Sequence, residues 1–246
     1  MSSSIVDKNY DFLTTDIALE VKGLSFSYSR KQPPVIRDIS TDFPKNCLTV
    51  IAGPNGSGKT TLMKHFNGLF LPRMGKVFVF GHELTKSNRK HIQKLVGVVF
   101  QNPDEQIFYP RVYDDIAFGP KNMRLSASEV HKRVNNALNE VKIIDLKDRI
   151  TFNLSFGEKK KVAFAGILAM KPEIFVLDEP TIGIDPWSKP KMIKIIESFK
   201  RKRTVIVITH DFDVMKIADR IILLKEGQLK GEFSSFEDFY QQEFVH

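Results

Sequence analysis

The run Leu48-Thr-Val-Ile-Ala52, followed at once by Gly53-Pro-Asn-Gly-Ser-Gly-Lys-Thr-Thr61, constrains this chain more than any other stretch. An apolar, β-branched strand that ends in a glycine-rich turn and continues as a helix is the opening unit of an α/β sheet. Within the G-x-x-x-x-G-K-[ST] pattern each residue type has a task. Gly53, Gly56 and Gly58, spaced by Pro54, Asn55 and Ser57, let the backbone wrap tightly. Successive N–H groups and the helix N-terminus then face an anion. Lys59 reaches the β and γ phosphates of a nucleotide, the Thr60 hydroxyl suits Mg²⁺, and Thr61 completes the nucleotide-binding stretch Gly53–Thr61.

A second strand-like run, Ile174-Phe-Val-Leu, delivers Asp178 and Glu179 at its C-terminal end, where open α/β sheets place ligands. Asp178 suits a Mg²⁺ ligand, acting through water, because that ion keeps much of its hydration shell. Glu179 can accept a proton from, or orient, the water that attacks a γ-phosphate. Alone, an Asp–Glu pair after a strand reads as an ordinary turn; joined to a phosphate loop it reads as functional.

Further apolar runs at Val77–Phe80, Val96–Phe100, Val205–Ile208 and Ile221–Leu224 alternate with helical patterns, the signature of a mostly parallel sheet. Val130, Val134, Leu138 and Val141 share one helix face, with Ser126 and Glu129 spaced as a capping box. Met192, Ile195, Ile196 and Phe199 make another stripe, and Pro190 predicts that this helix starts late or bends. Residues 102–171 read as a helical insertion in one domain spanning 17–246, whose core comprises 17–101 and 172–246. Residues 1–16 read as a flexible tail. The end, SSFEDFYQQEF, predicts a short helix with Phe236, Phe239 and Tyr240 packed down.

Composition excludes little. The formal charge of +8 suits nucleic acid, anionic lipid or a polyphosphate equally. Its carriers are scattered apart from Lys159–Lys161 and Arg201–Arg203, which read as a solvated helix face and a helix end, so no nucleic-acid partner is expected. The single Cys47 excludes an intrachain disulfide. No apolar run approaches the roughly 20 residues of a membrane span, and the N-terminus has no secretory pattern.

Taken together, the motifs resemble those of ATP-binding cassette (ABC) ATPases, in that family's order and over nearly the whole chain from about Ile17. The resemblance implies a RecA-like P-loop NTPase core with an N-terminal antiparallel β region and a helical signature subdomain. It matches Tyr28 to the aromatic that stacks on adenine, and Gln101 to the glutamine that senses Mg²⁺ and the attacking water. Leu154-Ser-Phe-Gly-Glu158 matches the signature, whose Ser155 and Gly157 contact the nucleotide of a second subunit. Asp185, in Gly183-Ile-Asp, matches the loop that crosses the dimer interface, and His210 matches the switch histidine at the γ-phosphate. ATP and Mg²⁺ are the implied cofactors, and a homodimer or heterodimer with a second ABC ATPase is the implied assembly. The signature departs from the commonest form: Phe156 replaces a glycine where backbone is to approach the nucleotide. Glu158 replaces a glutamine, bringing a negative charge that repels phosphate unless it points away or caps the helix.

The stretches Gln101-Asn-Pro-Asp-Glu-Gln-Ile-Phe108, Asp115-Ile-Ala-Phe-Gly-Pro120 and Lys159–Met170 resemble energy-coupling-factor ATPases of cobalt, nickel and vitamin importers. That resemblance implies a transmembrane coupling protein, a substrate-binding membrane protein, and a peripheral position on the cytoplasmic face of the membrane. It also makes Asp104 and Glu105 candidates for contacting basic residues there. The competing reading is a soluble, non-transport cassette that regulates a cytosolic complex.

Overall fold

The computed structural model describes residues 15–29 and 31–245. The expected tail lies outside them except for its last two residues. Two sheets form the frame. The N-terminal strands β1 (Ile17–Phe26) and β2 (Ile36–Pro44) pair antiparallel, and β3 (Leu48–Ala52) then leaves for the second sheet and runs into α1 (Lys59–Phe66). After α1, β4 (Met74–Val79) and the two-residue β5 (His82–Glu83) return to the first sheet, giving the antiparallel order β2-β1-β4-β5. The apolar run Val77–Phe80 therefore serves the antiparallel sheet, and α2 (Arg89–Leu95) leads back to β6 (Val96–Val99).

Three helices follow: α3 (Val112–Asn122), α4 (Ala127–Glu140) and α5 (Phe156–Met170). The chain then completes the second sheet with β7 (Ile174–Asp178), α6 (Lys189–Glu197), β8 (Thr204–Ile208), the short α7 (Phe212–Met215), β9 (Arg220–Lys225) and β10 (Gln228–Phe233). It closes with α8 (Phe236–Phe244). The order is β10-β9-β3-β8-β7-β6; all neighbours are parallel except the β9–β10 hairpin. Every residue of β3, β6, β7 and β8 is buried, which explains why these strands read as continuous apolar runs instead of alternating ones.

Register matters most for function. Ile208 of β8 is level with Ile51 of β3 on one side and with Asp178 of β7 on the other. The loop after β3, the Thr209-His210 pair after β8 and Glu179 after β7 thus leave the sheet along one edge.

The α4 stripe is buried as its spacing predicts, and one hydrophobic cluster runs without a break from α3, α4 and α5 into one face of the sheet. Ser126 caps α4, its Oγ accepting from the Glu129 N–H at 3.3 Å, but the Glu129 carboxylate turns to Arg133 instead of closing the box. The α6 helix starts at Lys189 with Pro190 in its first turn, where a missing N–H breaks no helical bond. In α8, Phe239 is buried, while Tyr240 and Phe244 surround the Phe212 ring at 5.9 and 5.4 Å.

Candidate active site

The turn after β3 needs its glycine. Gly53 has φ +146°, and a Cβ there would lie 2.0 Å from the Leu224 carbonyl oxygen. The tight wrap curls Lys59 back over the loop, its Nζ donating to the Gly53 and Pro54 carbonyls at 2.7 and 2.9 Å. Burial lowers the Lys59 pKa, against the pull of Glu179 and Asp178. Helix α1 carries no side-chain cap and no acidic residue in its first turn, so its first N–H groups are left for a ligand. Ser57 Oγ is buried beside them without a partner.

These groups line one wall of a cavity of about 300 Å³: Asn55, Gly56, Gly58, Lys59, Thr60 and Thr61 on one side, Gln101, Asp178 and Glu179 on the other. Tyr28 leans over the start of α1, with its hydroxyl 2.8 Å from Thr61 Oγ1. Its half-exposed ring meets Phe26 and Phe70 edge-on.

The two carboxylates have different surroundings. Asp178 Oδ2 accepts from Thr60 Oγ1 at 3.0 Å, while Oδ1 is buried with no partner. Burial pushes Asp178 up to about 6. Glu179 has both oxygens engaged: Oε2 accepts from Thr209 Oγ1 at 2.9 Å, and His210 Nδ1 lies 2.8 Å from Oε1. Its backbone is left-handed, with φ 46°, and its N–H donates to the Ile208 carbonyl at 2.8 Å. An orphaned carboxylate oxygen beside a threonine hydroxyl and the Gln101 amide fits a hard cation such as Mg²⁺, which takes oxygen ligands.

Asp178 yields a pH-dependent prediction. Its pKa is raised from 3.8 to about 6, so the folded chain holds more protons than the unfolded one across that window. Stability therefore falls as pH rises through it, by an amount on the order of 2–3 kcal/mol at pH 7. Asp178→Asn keeps an acceptor for Thr60 and removes the charge. In chelator-treated, nucleotide-free protein it is expected to raise the thermal midpoint at pH 7, with the gain shrinking toward pH 5. A lower midpoint at pH 7 would refute this account of Asp178.

The signature segment forms the start of α5. Ser155 is its N-cap, with Oγ accepting from the Glu158 N–H at 3.3 Å; Glu158 Oε2 accepts from the Ser155 N–H and hydroxyl at 2.8 and 2.9 Å. This is a complete capping box. The glutamate thus spends its charge on its own helix terminus. The Phe156 ring, still partly exposed, helps to line a hollow with Thr60, Gln101, Asp178 and Ile182 of its own chain. Ser155, Gly157 and Asp185 line no part of the phosphate-loop cavity. Asp185 Oδ1 accepts from the Trp187 and Ser188 N–H groups, both at 3.0 Å. Its carboxyl is held below the usual range, chiefly by the Ser188 hydroxyl.

The ABC transporter family profile matches residues 36–182. An energy-coupling factor transporter ATP-binding protein, EcfA1 of Methanospirillum hungatei, is 42% identical over 92% of this chain and 83% of its own length. Its counterpart EcfA from Carboxydothermus hydrogenoformans is 40% identical over 88% and 81%. This chain belongs to the ABC transporter family. The solved structure of cbiO1 from Clostridium perfringens, described as part of the ABC transporter complex cbiONQ, superposes with a TM-score of 0.84. It is 35% identical, over 94% of both chains. A dimeric bacterial ABC cassette at 24% identity and TM-score 0.79, over 88% of this chain and 98% of its own, shares the fold. As an ABC cassette the chain is an ATPase and binds ATP.

Sequence reasoning missed or misread several residues of this ABC ATPase. Lys159–Lys161 is not uniformly a solvated face: Lys160 is 3% exposed, and burial lowers its pKa to about 8. The available signal was spacing: Phe156 and Phe164 lie four residues to either side of it on the same helix face. Asp104, the candidate for a partner's basic residues, pairs with Lys159 of its own chain at 2.8 Å while its side chain stays exposed. Arg203 stacks over Phe199 and Phe175 and pairs with Glu140 at 2.8 Å, tying the end of α4 to the sheet. Thr209 went unnoticed because a threonine at a strand end has no pattern of its own.

Proposed function

We propose that this ABC ATPase is the energy-coupling subunit of an importer of the energy-coupling-factor type, taking up a metal ion such as cobalt or nickel, or a vitamin. It would pair with a second cassette, identical or paralogous, beneath a transmembrane coupling protein and a substrate-binding membrane protein, on the cytoplasmic face of the membrane. No described helix is long and apolar enough to cross a bilayer, so the membrane contact would come from partners.

The observation that carries this reading is an aromatic patch at the base of α3. Asp115 accepts from the N–H groups of Phe108 and Tyr109, both at 3.0 Å, and so fixes the turn that displays them. Phe108 packs edge-on against Phe118 at 4.7 Å yet remains mostly exposed, as do Ile150 and Phe152, which the Arg111–Ile150 bridge brings alongside the turn. Exposed aromatics held on a fixed turn suit an apolar partner helix.

In this reading ATP lies between two chains. Lys59, the loop N–H groups and Tyr28 of one chain hold the nucleotide; Ser155 and Gly157 of the other approach its γ-phosphate, with Asp185 at the interface. Glu179 takes the proton of the attacking water, held in place by Thr209 and His210. Thr60, Asp178 and Gln101 would hold Mg²⁺, which neutralises developing phosphate charge. For Ser155 to turn its hydroxyl to a phosphate it must release Glu158. Closure is differential binding: only the closed pair touches the γ-phosphate from both sides. The helical segment 102–171 carries the patch and transmits the closure.

Purification from native membranes with a tagged chain tests the reading. An integral membrane partner that co-purifies, and is lost in Phe108→Ala/Tyr109→Ala while soluble ATPase activity persists, is the expected result. A fully soluble complex would instead favour the cassette as a regulator of a cytosolic assembly.

A further inference from the structure

Lys160 is a buried cation with no part in the chemistry described so far. It sits one turn after Phe156 on α5, and its Nζ passes over the Phe156 ring, 5.5 Å from the centroid. There it donates a short hydrogen bond to the backbone carbonyl of Glu179. The Phe156 ring in turn rests on Gly183: a Cβ on that glycine would come within 2.7 Å of it, and Gly183 itself has φ +72°. The first turns of α5 are therefore clamped onto the segment that runs from Glu179 to Gly183 of the same chain.

Glu179 needs such a clamp. A glutamate at φ 46° occupies a sparsely populated backbone region that persists only where its surroundings over-determine it. Its N–H is held on Ile208, its carboxylate between Thr209 and His210, and its carbonyl by the Ile182 N–H at 3.3 Å and by Lys160. Of these only Lys160 comes from outside the strand ends and their following turn, and it comes from the helix that carries Ser155 and Gly157.

We propose that Lys160 is a positioning residue for Glu179, and that through it the signature helix sets the geometry of the carboxylate in its own chain's site. This rests on the reading of Glu179 as the proton acceptor. In a pair, α5 faces the partner's nucleotide at its first turn and its own chain's Glu179 a turn later. A shift of α5 on contact with one ATP is thus felt at the carboxylate that acts on the other.

The test is Lys160→Met, which keeps the length of the side chain and replaces a buried charge by an apolar group, a change that need not destabilise a fold. ATP turnover by the variant is expected to fall about 10- to 100-fold, the scale of a misplaced catalytic group. Its ATP affinity should stay within about twofold of the parent's, and its thermal midpoint should not drop. Lys160→Gln, which retains a donor, is expected to recover part of kcat at unchanged KM. Parental turnover in Lys160→Met overturns the proposal. So does a loss shared equally by kcat, ATP affinity and thermal midpoint in both variants, which would make the role structural. Glu179→Gln measured alongside separates the two claims. If it turns over normally, the reading of Glu179 fails; if it is inactive while Lys160→Met is not, only the role of Lys160 fails.

Discussion

Glu179→Gln is expected to bind ATP with near-parental affinity, to lose turnover by about 10²- to 10⁴-fold, the scale of a removed general base, and to accumulate as an ATP-bound pair. The geometry makes this substitution unusually clean. A glutamine amide can still accept from Thr209 through its oxygen and donate to His210 Nδ1 through its nitrogen, so both contacts of the carboxylate have a counterpart. What the amide cannot do is take a proton. In the proposed cycle closure is driven by binding and reopening by hydrolysis, so blocking the second step would trap the first. Light scattering on the ATP-incubated variant reads the pair directly. Trp187 offers a second readout: it is the only tryptophan of the chain, 85% exposed, and two residues past Asp185. Burial of that ring on pairing would shift its emission to the blue. Undiminished steady-state hydrolysis in Glu179→Gln would count decisively against the assigned role.

Lys59→Ala is expected to remove measurable nucleotide binding while leaving the fold in place. The lysine makes two hydrogen bonds to loop carbonyls that glycine geometry already holds, so its loss costs the loop little. Towards a triphosphate the same ammonium supplies charge-assisted bonds worth about 1.5–3 kcal/mol each, or about 10²- to 10⁴-fold in affinity for two of them. Thermal stabilisation by ATP, which follows directly from binding, should vanish at concentrations that saturate the parent. Near-native affinity would overturn the phosphate-loop reading.

How much of this was legible beforehand depended on what each residue's signal consisted of. The phosphate loop and the Asp178-Glu179 strand end were readable because their function demands residue types at fixed spacing. The buried strands were readable because burial on both faces removes polar residues altogether. β1, β2, β5 and β10 were anticipated only collectively or not at all; half-exposed strands such as β10 carry Gln228, Lys230 and Glu232 on their open side and look like loop. Glu158 could be read in two ways from the sequence, as a repulsive charge or as a cap. The distance from its carboxylate to the Ser155 N–H decides for the cap. Lys160 was misread because a lysine run suggests water; its bond to the Glu179 carbonyl shows the middle residue of the run turned to the loop after β7.

The unbroken hydrophobic cluster shared by α3, α4, α5 and one face of the sheet has a thermodynamic consequence. Because the helical segment and the nucleotide core share that cluster, the two should lose structure in one cooperative step. The same continuity limits how the segment can move. It can tilt by sliding its packed faces over small distances, but it cannot swing free as a hinged lid would. Under the proposed docking, force applied at the aromatic patch would reach the strand ends through these packed side chains.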